Sequence, residues 1–346
     1  MDEDITPDRL EVKECEVIRP VSEQDRNCQA AGFMRYGPPE VIETLVVPVP
    51  AISPDEVLVE VVAAPVNPSD TLMRAGKQAA MMGKLSPPFI PGMEFAGHVQ
   101  AVGSSVRSLS VGQPVMGVVN PRRPTGGAHS QLISVSALSA VALEMGVDLV
   151  NASTIPMNGL TAQIALDLLA LPHGGVLLVT GGTGVVGGYS IQLAREAGLT
   201  VVADADLARA DVLRRLGADV VVERGRQMGA EIRKVFPHGV DGLIDAALLG
   251  APAVEAIRDG GVAVYLRGAN VVHDPRVISH VVMVTDRMND QLALVELRKK
   301  FIKGLLKPPV VHALPMNAAA RAHRCVEERS VSGRVVLLLE DNGWRR

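Results

Sequence analysis

The run Val176-Leu-Leu-Val-Thr-Gly-Gly-Thr-Gly-Val-Val-Gly-Gly-Tyr-Ser-Ile-Gln-Leu-Ala-Arg195 constrains the fold of this chain more than any other segment. Its apolar start reads as a buried strand, a glycine-rich turn follows, and an amphipathic helix opens inside that turn. Gly181, Gly184 and Gly187 permit a tight turn, close approach of backbone to a ligand, and tight packing of helix on strand. Thr183, Val185 and Val186 then lie at the helix N-terminus. Unpaired N–H groups and the positive end of the helix dipole attract an anion there. A second apolar run, Thr200-Val-Val-Ala203, follows the helix. Asp204 and Asp206 trail it, about 20 residues past the loop, where a ribose-binding acid belongs. Strand, loop, helix, strand and acid in this order predict a dinucleotide site.

Composition narrows the class. A chain of 346 residues exceeds one ordinary domain and suits two. With 47% hydrophobic and 21% charged residues it has a generous core. A net charge of −4 and the lack of a long Lys/Arg cluster argue against a nucleic-acid partner. No apolar run approaches the 18 or so residues that span a bilayer, and the acidic N-terminus is unlike a signal peptide. Three scattered cysteines, Cys15, Cys28 and Cys325, suit a reducing cytoplasm better than a disulfide framework. The expectation is a cytoplasmic enzyme without a membrane partner.

The rhythm of the chain changes along its length. Residues 1–29 are charged and aperiodic, and are expected to be a flexible extension. From 30 to 155, short β-type runs such as Val57–Val62, Glu94–Val102 and Val115–Val119 are punctuated by Pro and Gly, which suggests an irregular β-barrel. From 156 to 288, strands are expected near 176–180, 200–203, 220–222, 242–245, 262–266 and 281–285. Helices should start near 185, 207, 229 and 253. Six strands with helical crossovers read as a doubly wound parallel sheet, an α/β fold. Residues 289–346, with a helix at 290–303 and the apolar Val335–Leu339, should return to the first domain.

Four motifs together carry a family resemblance: Ala64-Pro-Val-Asn-Pro-Ser-Asp70, Pro91-Gly-Met-Glu-Phe-Ala-Gly-His-Val99, Gly159-Leu-Thr-Ala162, and Gly181 through Gly187. In this order and spacing the chain resembles the medium-chain dehydrogenase/reductase superfamily, in its zinc-independent quinone oxidoreductase (ζ-crystallin-like) branch. The resemblance covers about Ala30 to Leu339. It implies a GroES-like catalytic domain, a Rossmann domain with the cleft between them, and hydride transfer from NAD(P)H. Zinc alcohol dehydrogenases are similar but carry Cys where the Asn67 segment falls, and Gly-His-Glu where this chain has Gly92-Met93-Glu94. Catalytic zinc takes thiolate, imidazole or carboxylate ligands, so no metal is expected.

A site without that Lewis acid suits reduction of a quinone or of an activated C=C bond, whose carbonyl accepts the charge. The substrate implied is a small quinone or enone. Asn67 is the candidate donor to that carbonyl, or to the nicotinamide ribose; equally, its amide stabilises its own Asn-Pro turn. Asp70 and Arg74 read as structural. Enoyl-thioester reductases resemble the chain at Asn67–Asp70 and place a catalytic Tyr just beyond, where Gln78 stands here. Among the tyrosines, Tyr189 reads as packing, Tyr265 as lining the nicotinamide pocket, and Tyr36 as able to reach the cleft. Protonation by solvent is the default. Thr161, Ala246, Ala247 and Arg267 are expected at the cofactor crevice, with plain packing or loop structure as the alternative. Asp204 and Asp206 favour NADH, while Arg209 is placed to pair with the 2′-phosphate of NADPH. The alternatives are an enoyl-thioester reductase and a catalytically silent nucleotide-binding protein. An apolar last strand, His280–Val284, left open would be a hazard, and a homodimer is expected.

Overall fold

The computed structural model describes residues 27–339. In the first half, period-two patterning sets the strands. β1 (Asn27–Gly32) and β2 (Glu43–Pro48) form an antiparallel ribbon. β3 (Glu56–Pro65) buries Val57, Val59 and Val61 on one face. Helix α1 (Pro68–Arg74) starts with Pro at the first helical position, where no N–H is needed. The Asp70 carboxylate accepts the Asn67 N–H at 2.7 Å and fixes that start. A short α2 (Ala79–Met82) precedes β4 (Glu94–Val102), β5 (Pro114–Val118), β6 (Leu132–Ser136), β7 (Ala140–Ala142) and a short α3 (Leu149–Ala152).

Helix α4 (Pro156–Leu169) is buried on nearly every side, as its almost wholly apolar sequence requires. β8 (Val176–Thr180), α5 (Val185–Glu196), β9 (Thr200–Ala205), α6 (Ala210–Leu216), β10 (Val220–Glu223), α7 (Met228–Val235), β11 (Val240–Asp245), α8 (Ala251–Val254), β12 (Ile257–Tyr265) and β13 (Ile278–Val281) follow. Their six strands form a sheet in the order β10-β9-β8-β11-β12-β13, every pair parallel. The order reverses between β8 and β11, so a crevice opens at their C-terminal ends. After α9 (Gln291–Ile302) come β14 (Val311–Pro315), α10 (Ala319–Glu328) and β15 (Arg334–Leu338). β15 pairs with β3 and closes a seven-stranded sheet, β14-β15-β3-β4-β5-β7, with β6 also on β3.

Between the two sheets lies one continuous apolar cluster. Met93, Met116 and Val118 of the barrel meet Met157 and Leu160 of α4, Tyr189 of α5, and Leu294 and Leu297 of α9. Each of the six expected parallel strands is present, but the last sits earlier than the apolar run suggested. β12 stops at Tyr265, which pairs with Val281, and the ladder ends where the Val282 N–H donates to the Tyr265 carbonyl at 2.9 Å. Val282 turns into the core, and Val284–Arg287 forms a 3-10 turn. The expected helix at 207 begins as a 3-10 turn, Leu207–Arg209, before α6. The extension expected at 1–29 lies outside the described residues, except that Asn27–Gln29 already pair in β1.

Candidate active site

The glycine loop is built by backbone contact. Gly181 ends β8 at φ +68°, in the left-handed region glycine favours. Gly184 N–H donates to the Gly181 carbonyl at 2.8 Å and closes the turn. A Cβ on Gly187 would lie 2.3 Å from the Gly181 oxygen, so helix and loop touch backbone to backbone. Gly184 is exposed, and a Cβ there would meet only the Gly181 oxygen, at 3.1 Å. Its face is the open one. Val185, Val186 and Gly187 form the first turn of α5 behind it, with Thr183 half-buried in the loop. The N–H groups of that first turn have no partners within the helix. Thr180 Oγ1 donates to Asp245 at 2.6 Å and accepts the Ala247 N–H at 2.9 Å. This joins the ends of β8 and β11 and sets half-buried Ala246 and Ala247 beside Gly181.

At the far end of the crevice, Asp204 is fully buried. One oxygen accepts the Gly181 N–H at 2.6 Å and the other pairs with Arg224. Asp206 is exposed and accepts the Ala208 N–H at 3.1 Å; Arg209 beside it is exposed as well.

The barrel holds a buried polar cluster centred on Glu94. Its Oε2 accepts the Met157 N–H at 2.9 Å. Its Oε1 accepts the side-chain amides of Asn158 at 2.9 Å and Asn67 at 3.2 Å, and pairs with Arg334. Asn158 also donates to Asn67 Oδ1 at 3.2 Å. Burial pushes the Glu94 carboxyl up to about 7, with Arg334 pulling the other way. Met93, alongside, accepts Ser69 Oγ on its sulfur at 3.3 Å. A second buried group lies behind α1. Asp70 accepts the Gly92 N–H at 3.0 Å, and His129 Nε2 meets the Pro65 carbonyl at 3.1 Å. His323 of α10 lies edge-on to His129 at 6.0 Å, and Arg74 pairs with Glu327. Burial lowers both histidines, His323 well below the usual range, and raises Asp70. Past β5, Arg122 donates to Gln78 Oε1 at 3.2 Å.

Comparison with known proteins matches this layout. Residues 53–144 match the alcohol dehydrogenase GroES-like domain, and residues 216–337 the zinc-binding dehydrogenase family. The chain is 30% identical over 297 residues to an NADPH-dependent alkenal/one oxidoreductase, chloroplastic, of Arabidopsis thaliana, covering 84% of this chain and 73% of that one. This chain belongs to the medium-chain dehydrogenase/reductase superfamily. Another member of the superfamily, the 2-methylene-furan-3-one reductase of Solanum lycopersicum, is 30% identical over 248 residues, 70% of this chain but only 62% of its own length. An alcohol dehydrogenase superfamily protein from Novosphingobium aromaticivorans superposes with a TM-score of 0.81 at 25% identity, covering 90% of this chain and 100% of that one.

The zinc implied by the second of those family descriptions does not fit this member of the superfamily. Asn67 and Met93 offer an amide and a thioether, Asn158 adds a second amide, and of the two carboxylates Glu94 is taken by Arg334 and Asp70 by the Asn67 and Gly92 N–H groups. Zinc sites use thiolate, imidazole or carboxylate donors. Among the described residues, no group of three or more His, Cys, Asp or Glu is placed to hold an ion.

Several expected roles change. Asn67 is fully buried, with both ends of its amide engaged inside the cluster. Tyr265 is not a lining residue. Its ring is fully buried among Leu178, Met228 and Ile257 on the face of the sheet that α7 and α8 cover. Asp204 supports the loop instead of facing a ribose, because its place inside β9 points it at Gly181. Thr161 is buried on α4, its hydroxyl donated to the Met157 carbonyl at 2.8 Å. Arg267 is exposed just past β12. Tyr36 is 37% exposed, stacked on Phe89 with ring centroids 5.4 Å apart, and rests against Gly76 near Gln78. Tyr189 packs as expected, and Asp70 and Arg74 are structural. Asn158, Arg334 and Arg122 were not anticipated. Asn158 directly precedes the Gly159 motif, which is a usable signal; nothing near Arg334 or Arg122 in sequence marks them.

Proposed function

We propose that the chain is a zinc-independent, NAD(P)H-dependent reductase of the C=C bond of an enone or of a quinone. One observation supports this reading: the glycine loop opening α5 shares the fold with a buried cluster, Asn67, Glu94, Asn158 and Arg334, whose amides and guanidinium are not zinc ligands. Both curated relatives described above bear names of enone or enal reduction, which favours the enone. Bound NAD(P)H would supply the hydride. The residues of the chain hold and enclose the reactants. The first turn of α5 would hold the pyrophosphate at its unpaired N–H groups, and Gly184 would leave room for it. Hydride addition at the β-carbon sends an electron pair to the carbonyl oxygen, where a positioned donor stabilises it. Arg122, held by Gln78, is our candidate for that donor. Water then protonates the α-carbon. Tyr36, partly exposed and stacked on Phe89, stays a candidate for lining the cleft.

We infer NADPH as the nucleotide. The two acids that favoured NADH reduce to one, because Asp204 is buried against Arg224. Asp206 then stands beside exposed Arg209, and one relative is NADPH-dependent by name. The edge strand β13 leaves Ile278 54% exposed, and we propose that a second copy covers it. Free Cys28 and Cys325 are consistent with a reducing, cytoplasmic setting. Among the described residues, no helix is long and apolar enough to cross a membrane.

Following the absorbance of NADPH and NADH separately against enones, quinones and enoyl-thioesters tests the reading. Turnover of an enone or quinone that survives a chelator is expected. Activity that disappears on chelation and returns with zinc would overturn it. Light scattering at micromolar concentration should give the mass of a dimer.

A further inference from the structure

Four segments distant in sequence meet at one buried carboxylate. Glu94 sits in β4, Asn67 opens α1, Met157 and Asn158 form the first turn of α4, and Arg334 begins β15. Arg334 also donates to the Val66 carbonyl at 3.4 Å, so β15 is tied to the segment that leads into α1. We propose that Glu94 is a positioning residue: it clamps the first turn of α4 to the barrel and thereby sets where the two halves of the cleft face each other.

Three observations support the clamp. First, a helix start leaves N–H groups without partners, and the Met157 N–H is satisfied across the domain junction, by β4 and not by α4 itself. A carboxylate there also meets the positive end of the helix dipole. Second, α4 carries the position of the junction onward. Its Leu160 packs in one cluster with Tyr189 and Leu193 of α5, the helix whose N-terminus forms the nucleotide crevice. Third, a buried ion pair is a poor source of net stability compared with apolar packing. The pair of Glu94 with Arg334, 0% and 4% exposed at the side chains, is better accounted for by what it orients. Arg334 holds the carboxylate so that one oxygen reaches Met157 and the other reaches both amides. This inference rests on the reductase reading, because what the clamp positions is a hydride transfer.

Hydride transfer needs the reacting atoms in near-contact, and a misplacement of about 1 Å costs on the order of a hundredfold in rate. Two variants test the clamp. Glu94→Gln keeps the shape and removes the charge, and Asn158→Leu keeps the ion pair and removes two amide bonds. In single-turnover measurements, both should slow the hydride step by roughly tenfold or more, with the Kd for NADPH within about twofold of wild type. The clamp is overturned if thermal stability falls while the rate per folded molecule stays the same. It is equally overturned if nucleotide affinity falls in step with the rate. Should Glu94→Gln fail to fold, Asn158→Leu decides. Backbone hydrogen exchange over residues 156–161 reads the clamp without any substrate. It should quicken by about tenfold in Asn158→Leu while Leu177–Val179 keep their protection. Unchanged exchange there overturns the clamp even where wild type reduces nothing on the panel, an outcome that by itself removes only the reductase reading.

Discussion

Each half of the cleft is organised by a buried carboxylate, and the two carboxylates reach over very different lengths of chain. Asp204 ties Gly181 and Arg224, 23 and 20 positions away, inside one strand–helix–strand unit and its neighbour. Glu94 ties Asn67, Met157, Asn158 and Arg334, at separations of 27, 63, 64 and 240. The nucleotide loop is therefore a nearly local structure, braced by the strand beside it. The Glu94 cluster exists only once the barrel, the parallel sheet and the returning strand have all closed. Their solvent exposure differs too: Arg224 is 41% exposed at the side chain and Arg334 only 4%. Water can replace the partner lost at the first site and cannot at the second.

The largest effect should come from breaking the long-range pair. Arg334→Met leaves Glu94 buried and uncompensated, which should cost about 3–5 kcal/mol in urea denaturation. Asp204→Asn keeps the shape of the side chain and leaves Arg224 half in solvent, so about 1–2 kcal/mol is expected there. Equal losses at the two sites would break the comparison.

Next in size is the glycine loop, where two neighbouring glycines should fail differently. Gly184→Asp places a carboxylate on the open face of the loop, against the pyrophosphate, and calorimetry should show NADPH affinity falling by about a hundredfold or more with the fold kept. Gly187→Asp forces a Cβ to 2.3 Å from the Gly181 oxygen, so loss of stability accompanies loss of binding. A Gly184 variant with unchanged nucleotide affinity would place the nucleotide elsewhere.

The same contrast governs what could be read from sequence. The loop, its two flanking strands and α5 fall where the apolar run and glycine spacing put them, since those contacts are made by near neighbours. β4 matches its expected span for a similar reason: a short β-type run bounded by Pro and Gly is a local signal. Side-chain partners are another matter. Asp204 lies in the expected stretch, but a single residue of strand register decides whether a carboxylate faces the loop or the ribose. Tyr265 ends its strand as anticipated, yet the pleat turns it to the covered face. Arg334 is beyond any spacing rule, because only the antiparallel pairing of β15 with β3 brings it to Glu94.

A tenfold effect is expected at the nucleotide's far end. Arg209→Ala should lower kcat/KM with NADPH by about tenfold, or about 1.4 kcal/mol, and leave the value with NADH almost unchanged. Asp206→Ser should act in the opposite direction, improving NADPH. If Arg209→Ala changes both nucleotides alike, Arg209 does not read the phosphate, and Asp206 governs the ribose as the sequence alone suggested.

The smallest effect concerns pH, and it separates the halves again. His129 and His323 are both 0% exposed in the barrel half, whereas His173, His238 and His273 of the sheet half are exposed. Burial holds these two buried histidines, His129 and His323, below their ordinary value of 6.5, which favours the neutral ring in the folded protein. The unfolded chain takes up their protons as pH falls below 6.5, and the folded chain does not. Their contribution to stability is therefore complete above that value and declines below it. Asp70 and Glu94 run the other way: raised by burial, they favour the folded state at low pH, and Glu94 gives that up as pH rises through about 7. The total curve is flattened by this opposition, so the histidine effect has to be isolated by difference. Stability of wild type minus that of His323→Gln should fall by about 1 kcal/mol from pH 6.5 to 5.5. A level difference for His323 would mean that the folded barrel accommodates the charged ring, and the acid sensitivity assigned to that half would have to come from elsewhere.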